Sequence, residues 1–385
     1  MVIFRELQKE LTRLLPHFSV LVVTGPRQSG KTTLCKLHFA DYAYFNMEDI
    51  LVREQIAVAP KHFLEQYAPK GIIIDEAQQY PELFSYIQVV SDEHPDYRFV
   101  LTGSSNFALI HHITQSLAGR AAMFTLLPLS LAELAEQQTA DTDTLMINGG
   151  FPAVWSKQTP AYDVCRNYYN TYIERDVRNL INIKEISHFQ TFVRLCAGRT
   201  GCIFNASALS AETGVSVPTI NQWISVLEAS YVLFRLFPFY RNMSKRLVKT
   251  PKIYFYDTGL VCYLTGIENA RQLTTHPLRG AIFENLAVLE FLKNRFNLGK
   301  DANLYFYRDQ SQHEVDILQE FGNQYHAYEV KSAKAFHSVF LDNLKYLKSV
   351  MGSDSIVKTQ VIYDGEIDIN APENGMINIR NLTQP

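Results

Sequence analysis

The run Gly25-Pro26-Arg27-Gln28-Ser29-Gly30-Lys31-Thr32 has the spacing GxxxxGKT, and residues of those types at those positions suit phosphate binding. Glycines let successive backbone N–H groups close around phosphate oxygens, and a following helix start adds partial positive charge. Lys31 supplies a mobile point charge, and Thr32 offers a hydroxyl to Mg²⁺. A second cluster follows in Ile72-Ile73-Ile74-Asp75-Glu76, where an apolar run ends in two carboxylates. Carboxylates at a buried sheet edge carry a desolvation cost, and a Mg²⁺ beside a triphosphate gives them a reason to be there. Asp75 would then hold the metal, while Glu76 would orient or deprotonate the attacking water. Read alone, Asp75-Glu76-Ala77-Gln78 is also an ordinary acidic pair at a helix start. Thr102, in Leu101-Thr102-Gly103-Ser104-Ser105, is placed to set a polar side chain beside the γ-phosphate, although these residues read equally well as a strand-ending turn. Arg120, after Leu117-Ala118-Gly119, is a candidate for sensing transferred charge in its own or a neighbouring subunit, with a surface arginine as the plainer reading.

A third cluster lies near the other end. Glu314-Val315-Asp316-Ile317-Leu318 and Tyr328-Glu329-Val330-Lys331 flank Gly322-Asn323, a favoured two-residue hairpin turn. A turn centred there sets Asp316 across from Glu329 on one sheet face, and like charges directly opposed are destabilising unless something positive lies between them. A divalent cation would resolve the conflict. Lys331 returns to the same face and could stabilise a developing anion or position a water. Glu284, in the predicted helix 281–287, is placed to complete the site, although a lone Glu is also an ordinary helix-surface residue.

The elements that must hold these residues are legible too. Val20-Leu21-Val22-Val23 precedes the glycine-rich run, and apolar runs recur at Tyr42–Phe45, Gly71–Ile74, Arg98–Leu101 and Met123–Leu127, separated by helix-length segments. That alternation predicts an α/β fold with a parallel sheet covered on both faces. The chain has 385 residues, 47% hydrophobic, with 24 Phe and 21 Tyr, enough for a large core and two or three domains. A formal charge of −3 gives no global attraction for nucleic acid or an anionic membrane, so any such contact must be a local patch. Cys35, Cys165, Cys196, Cys202 and Cys262 show no CxxC spacing and read as reduced, mostly buried thiols. The first residues turn quickly into a charged amphipathic pattern, and Arg235 and Pro238 interrupt the most apolar later stretch, so a cytoplasmic protein is expected.

In the middle, Gly149-Gly150-Phe151-Pro152 marks a break after a polar, loop-like stretch from Glu136 to Asp143. Tyr168, Tyr169, Tyr172, Ile173, Asp176 and Leu180 recur at helical spacing and predict a buried stripe. Ala206 to Leu227 reads helix, turn at Gly214, cap at Ser216, helix. Its second helix, Val217–Glu228, offers Asn221 and Gln222 as base readers but no Lys or Arg, and Glu228 would repel phosphate. A structural or subunit-packing role is therefore favoured over DNA reading. Arg241, Lys245, Arg246, Lys249 and Lys252 form a basic segment that reads as a DNA-contacting wing or a solvated loop.

Together GPRQSGKTT, IIIDEAQ, LTGSSN, SLAGR and LLPLSLAEL resemble the prokaryotic AAA-type ATPases that carry a C-terminal domain of uncharacterised function, over nearly the whole chain. The resemblance implies a five-stranded parallel P-loop core, phosphate-loop roles for Gly25 to Thr33, and metal and water roles for Asp75 and Glu76. Glu284, Asp316, Glu329 and Lys331 resemble the PD-(D/E)xK nuclease superfamily, which implies a C-terminal restriction-endonuclease-like α/β domain with carboxylates on Mg²⁺ or Mn²⁺. The expected division is an ATPase domain over 1–135, a helical connector over 136–190, a winged-helix-like segment over 191–250 and a nuclease-like domain over 251–385. The expected function is ATP binding and Mg²⁺-dependent hydrolysis coupled to a C-terminal domain that acts on or binds DNA or RNA. The alternative is an ATP-gated regulatory or protein-binding module whose nuclease fold does not cut. An oligomer is compatible with either, and no membrane is implied.

Overall fold

The computed structural model describes residues 2–104, 116–135, 140–177, 186–239 and 250–382, without the side chains of 174–176. The first third is a five-stranded parallel sheet in the order β2-β3-β4-β1-β5, built from β1 (Val20–Thr24), β2 (Ala43–Asn46), β3 (Ile72–Asp75), β4 (Phe99–Thr102) and β5 (Ala121–Thr125). These strands lie within two residues of the apolar runs. Their continuous hydrophobicity has a direct cause: Val20, Val22, Ile72, Ile74, Phe99 and Leu101 pack into one core, whereas Leu21, Val23, Ile73, Val100 and Phe124 pack into another on the opposite face. Alternate side chains point to opposite faces, and helices cover both, so Val20 to Val23 of β1 are all apolar. The shared C-terminal edge carries Thr24, Asp75 and Thr102 at the ends of three neighbouring strands.

The middle is helical. Asp141 caps the helix Thr142–Asn148 by accepting from the Thr144 N–H at 2.7 Å, so the polar stretch read as a loop already turns helical there; its residues 136–139 lie outside the described set. The helix Ala161–Tyr168 continues as a π-helix over Tyr169–Val177, burying Tyr168, Tyr169, Tyr172 and Ile173 as the spacing predicts. Leu180 and the Asp176 side chain are not described. Helices Ala206–Thr213 and Val217–Ala229 meet at Gly214, and Ser216 caps the second by accepting from Thr219 N–H at 3.3 Å. An antiparallel pair follows, β6 (Leu233–Leu236) with β7 (Lys252–Phe255). The expected boundary between 250 and 251 falls inside this pair, and β7 cannot be assigned to a different unit from the strand that satisfies its hydrogen bonds.

The last third is a mixed sheet, β12-β11-β10-β9-β8, formed by β8 (Leu304–Arg308), β9 (Glu314–Phe321), β10 (Gln324–Lys331), β11 (Ile356–Tyr363) and β12 (Gly375–Asn378). β9 and β10 pair in the register expected of a turn at Gly322-Asn323: Phe321 faces Gln324 and Ile317 faces Tyr328. The helix Arg279–Asn297 packs on one face of this sheet and shares a single large core with Phe192 and Trp223 of the middle helices and Tyr254 of β7. The helix Asp342–Met351 covers the other face through Leu344 and Leu347. Four of the five cysteines are buried thiols and Cys202 is exposed. No helix among the described residues is long and apolar enough to cross a membrane.

Candidate functional site

β1 delivers the chain to Gly25, whose φ of +139° and whose contact with the Leu126 carbonyl oxygen leave no room for a Cβ. At Gly30 the backbone is left-handed again, φ +94°, and the helix Lys31–His38 begins. The loop between them wraps Lys31: its Nζ donates to the carbonyls of Gly25 at 3.0 Å and Pro26 at 2.8 Å. Burial pushes this ammonium down to about 8, with Glu76 and Asp75 pulling the other way. Thr32 donates to Asp75 Oδ2 at 2.9 Å, Tyr44 donates to the same oxygen at 2.7 Å, and Thr102 donates to Oδ1. Asp75, 4% exposed, is thus held by three hydroxyls, each of which a ligand can replace. Glu76 sits in the left-handed region at φ +51°, unusual for a residue with a side chain. Its carboxylate accepts from Gln78 and from Ser104 at 3.1 Å. Ser29 Oγ is buried without a hydrogen-bond partner.

An open cleft of about 760 Å³ runs from this loop to the N-terminal segment and the start of the middle domain, lined by Ile3, Gly30, Thr32, Leu37, Glu76 and Pro152 among others. Gln28 and Thr33 lie on its wall, Gln28 with a left-handed backbone, and Arg27 pairs with Glu48 at 3.2 Å and stands over the Tyr172 ring. Arg5 has no counterpart in the sequence reading. Its guanidinium is buried and donates to the Ser29 carbonyl at 2.7 Å, the Leu127 carbonyl at 2.6 Å and Glu133 at 3.0 Å, pinning the loop from behind. No local pattern could have announced a partner 24 residues away.

For Arg120, the own-chain reading is corrected. It immediately precedes β5, next to the start of β1, so it stands at the opposite edge of the parallel sheet from the loop that follows Thr24. There it is clamped by Asp92 at 2.5 Å and does not reach the phosphate site of its own chain.

The C-terminal residues do come together, around a partner that was not expected. Lys331 Nζ lies 2.6 Å from Glu329 Oε1, and Asp316 Oδ2 accepts from the Val330 N–H at 2.8 Å. Lys252, read as a wing charge, is instead 3% exposed at the head of β7; Arg241, Lys245, Arg246 and Lys249 of that segment are outside the described residues. Its ammonium is 2.9 Å from Glu284, 2.6 Å from Glu314 and 3.8 Å from Asp316, and Tyr254 donates to Glu284 at 2.6 Å. Those carboxylates hold Lys252 above its ordinary value against the penalty of burial. Burial, then Asp316, pushes Glu329 up to about 8 despite Lys331; burial raises Glu284 as well. The expected metal ligands Glu284, Asp316 and Glu329 therefore do not fit a cation in this arrangement: Lys252 takes its place. Among the described residues, the acidic or histidine group with ligand atoms all within 4.8 Å is Glu65, Glu93 and His94, not this cluster.

Comparisons with known proteins find three family matches along the chain. Residues 17–135 match the family described as an AAA domain, and residues 139–271 and 279–382 match two domains of unknown function, DUF8612 and DUF4143. The chain is similar to the uncharacterized protein Rv2008c of Mycobacterium tuberculosis, 29% identical over 369 residues that span 94% of this chain and 80% of that protein. It is also similar to MJ1544 of Methanocaldococcus jannaschii, 25% identical over 338 residues, 80% of this chain and 73% of that one. Among solved structures, the Walker-type ATPase PABY2304 of Pyrococcus abyssi is 14% identical, with 67% of this chain and 94% of that chain aligned at a TM-score of 0.45. The matched family and the loop geometry together support an AAA-type P-loop ATPase domain over residues 17–135.

Proposed function

We propose that this chain binds ATP with Mg²⁺ at the Gly25–Thr33 loop and hydrolyses it. The observation that carries the reading is the Thr32–Asp75 hydrogen bond of 2.9 Å, which joins the hydroxyl after the loop lysine to the strand-end acid. Two hard oxygen ligands are thereby already neighbours, as Mg²⁺ requires. Lys31 leaves the Gly25 and Pro26 carbonyls for phosphate oxygens, and loop N–H groups and the helix start complete the cradle. Glu76, positioned by Ser104 and Gln78, orients the attacking water and takes its proton. Mg²⁺ held by Thr32 and Asp75 would supply Lewis-acid stabilisation of the phosphate charge. Thr102 acts on the site through Asp75. Phosphate release by wild type, Lys31→Ala and Glu76→Gln tests this: Glu76→Gln retains ATP binding and loses turnover roughly 10²-fold or more, and equal rates in all three overturn it.

For the C-terminal domain, the Lys252 contacts favour the ATP-gated binding module over the nuclease-coupled reading. Helix-turn-helix and hairpin then read as a winged-helix-like connector between the two ends. Incubation of DNA and RNA with Mn²⁺ discriminates the readings: no cleavage in any nucleotide state supports the module, whereas cleavage abolished by Asp316→Ala and Lys331→Ala restores the nuclease.

A further inference from the structure

The phosphate loop rests on the segment that follows β5. Gly25 lies against the Leu126 carbonyl, and Arg5 ties the Ser29 carbonyl at 2.7 Å to the Leu127 carbonyl at 2.6 Å. A peptide unit is planar and trans, so its C=O and N–H point in opposite directions. With its carbonyl held by Arg5, the Ser29–Gly30 unit sets the Gly30 N–H facing away from the guanidinium. Glu133 completes the brace: one carboxylate oxygen accepts from Arg5 at 3.0 Å and from the Glu6 N–H at 2.9 Å, and the other accepts from the Ser130 N–H at 2.9 Å. Ser130 Oγ accepts in return from the Glu133 N–H at 3.2 Å, a reciprocal cap that stiffens the turn.

The same segment is gripped a second time, from the C-terminal domain. On the helix Arg279–Asn297, Lys293 donates to the Leu129 carbonyl at 2.7 Å and Glu290 accepts from the Leu131 N–H at 2.7 Å, and the two side chains pair at 2.8 Å. Each is 3% exposed. A buried ion pair returns little net stability, because desolvation offsets its attraction. What this pair does supply is a fixed geometry for two backbone groups that lie 164 and 159 residues away.

We propose that Glu290 and Lys293 are positioning residues for the nucleotide site: they fix Leu129 to Leu131, and that segment, through Glu133 and Arg5, fixes the Ser29 carbonyl and the loop that cradles phosphate. The inference rests on the ATP-binding reading given above. It makes the preformed loop depend on a helix of the C-terminal domain, and by reciprocity a nucleotide in the loop steadies that helix.

Steady-state phosphate release by the full-length chain tests this. Lys293→Met keeps an unbranched side chain and removes the charge. KM should rise roughly tenfold, because the competent loop is less populated, while kcat stays within about twofold, because bound ATP itself draws the loop into place. A lower kcat at unchanged KM means only a smaller folded fraction and overturns the proposal. Arg5→Met should raise KM in the same way, and the double variant should add little to either single change, since residues in one network do not act independently. Losses that multiply, or a wild-type KM in Lys293→Met, overturn it as well. Wild type that takes up no nucleotide in calorimetry overturns the ATP reading itself and this inference with it. If Lys293→Met does not fold, hydrogen exchange of wild type decides. A non-hydrolysable ATP analogue with Mg²⁺ should slow exchange in residues 127–133 and 286–297 and leave 314–331 unchanged; equal slowing in all three, or none, overturns the proposal.

Discussion

Two buried lysines divide this molecule. Lys31 and Lys252 are 6% and 3% exposed, and burial penalises both ammonium groups. Lys31 nevertheless falls to about 8, while Lys252 rises above its ordinary value. The difference lies in what each touches. Lys31 donates to two neutral carbonyls, with Asp75 and Glu76 acting from further off. Lys252 has two carboxylates in direct contact and a third at 3.8 Å. A buried charge whose partners are only dipoles is held ready for an anion. A buried charge ringed by acids is already compensated, and it contributes to the fold.

The sharpest way to break that comparison is to remove each charge in turn. Lys252→Met should destabilise the chain by about 3–5 kcal/mol, because it leaves carboxylates buried without a counter-charge. Lys31→Met should stay within ~1 kcal/mol of wild type, since the lost carbonyl contacts are offset by relief of desolvation. Urea unfolding of both variants without metal or nucleotide reads the difference. Similar losses would mean that the two sites do not differ in kind. The converse experiment adds the anion. At a free ATP concentration ~100 times Kd, wild type and Lys252-independent unfolding probes in the first domain should gain ~2.7 kcal/mol, and Lys31→Met should gain little.

How far the residues announced this follows from the range of each interaction. The phosphate loop is legible because its chemistry is contiguous: strand, glycines, lysine and helix lie within one short stretch, and the two-sided burial of β1 writes itself as an unbroken apolar run. The β9–β10 register, as far as Ile317 opposite Tyr328, is legible because a two-residue turn fixes register by counting. Lys252 is not, because its partners are 32 to 64 residues away and its own neighbours form a basic run. One signal was present: Lys252 heads the apolar strand Ile253-Tyr254-Phe255, and a charge at the head of a buried strand needs an explanation. Like-charge repulsion in the hairpin pointed to a divalent cation, whereas the positive group found near Asp316 is the Lys252 ammonium. Arg120 misses the phosphate site of its own chain for a topological reason, since position in a parallel sheet depends on which end of the strand a residue occupies.

The acidic cluster also predicts a pH dependence. Glu329, pushed up to about 8 by burial and Asp316, holds in the folded state a proton that an unfolded carboxyl releases near 4.5. Across that window the folded chain binds more protons than the unfolded one, so stability falls as pH rises. The loss should reach up to ~2 kcal/mol, softened by relaxation around the site. Glu329→Gln should remove this slope in denaturant midpoints measured across the window; an unchanged slope would place the proton elsewhere. A smaller effect is expected where the two halves meet. Tyr231 and Thr24, the residue just before the loop, share a hydrogen bond of 3.1 Å, and Thr24 also donates to the Phe124 carbonyl. Tyr231→Phe should cost about 1 kcal/mol in the same assay.

The smallest effect should come from Arg120, and its size decides whether the phosphate site is complete within one chain. Its guanidinium is exposed, bonded to Asp92, and set at the sheet edge opposite Lys31, Asp75 and Glu76. Nothing in its own chain brings it to a transferring phosphate. Arg120→Ala should therefore leave phosphate release unchanged at dilute protein, where only one copy can act. The assay should then be repeated at rising protein concentration. If wild type accelerates with concentration and the variant does not, a neighbouring copy presents Arg120 to this loop, and the site that Lys31 holds ready is finished by a second chain. If the two rates stay equal throughout, hydrolysis needs no arginine from that edge, and the residues gathered at the ends of β1, β3 and β4 suffice.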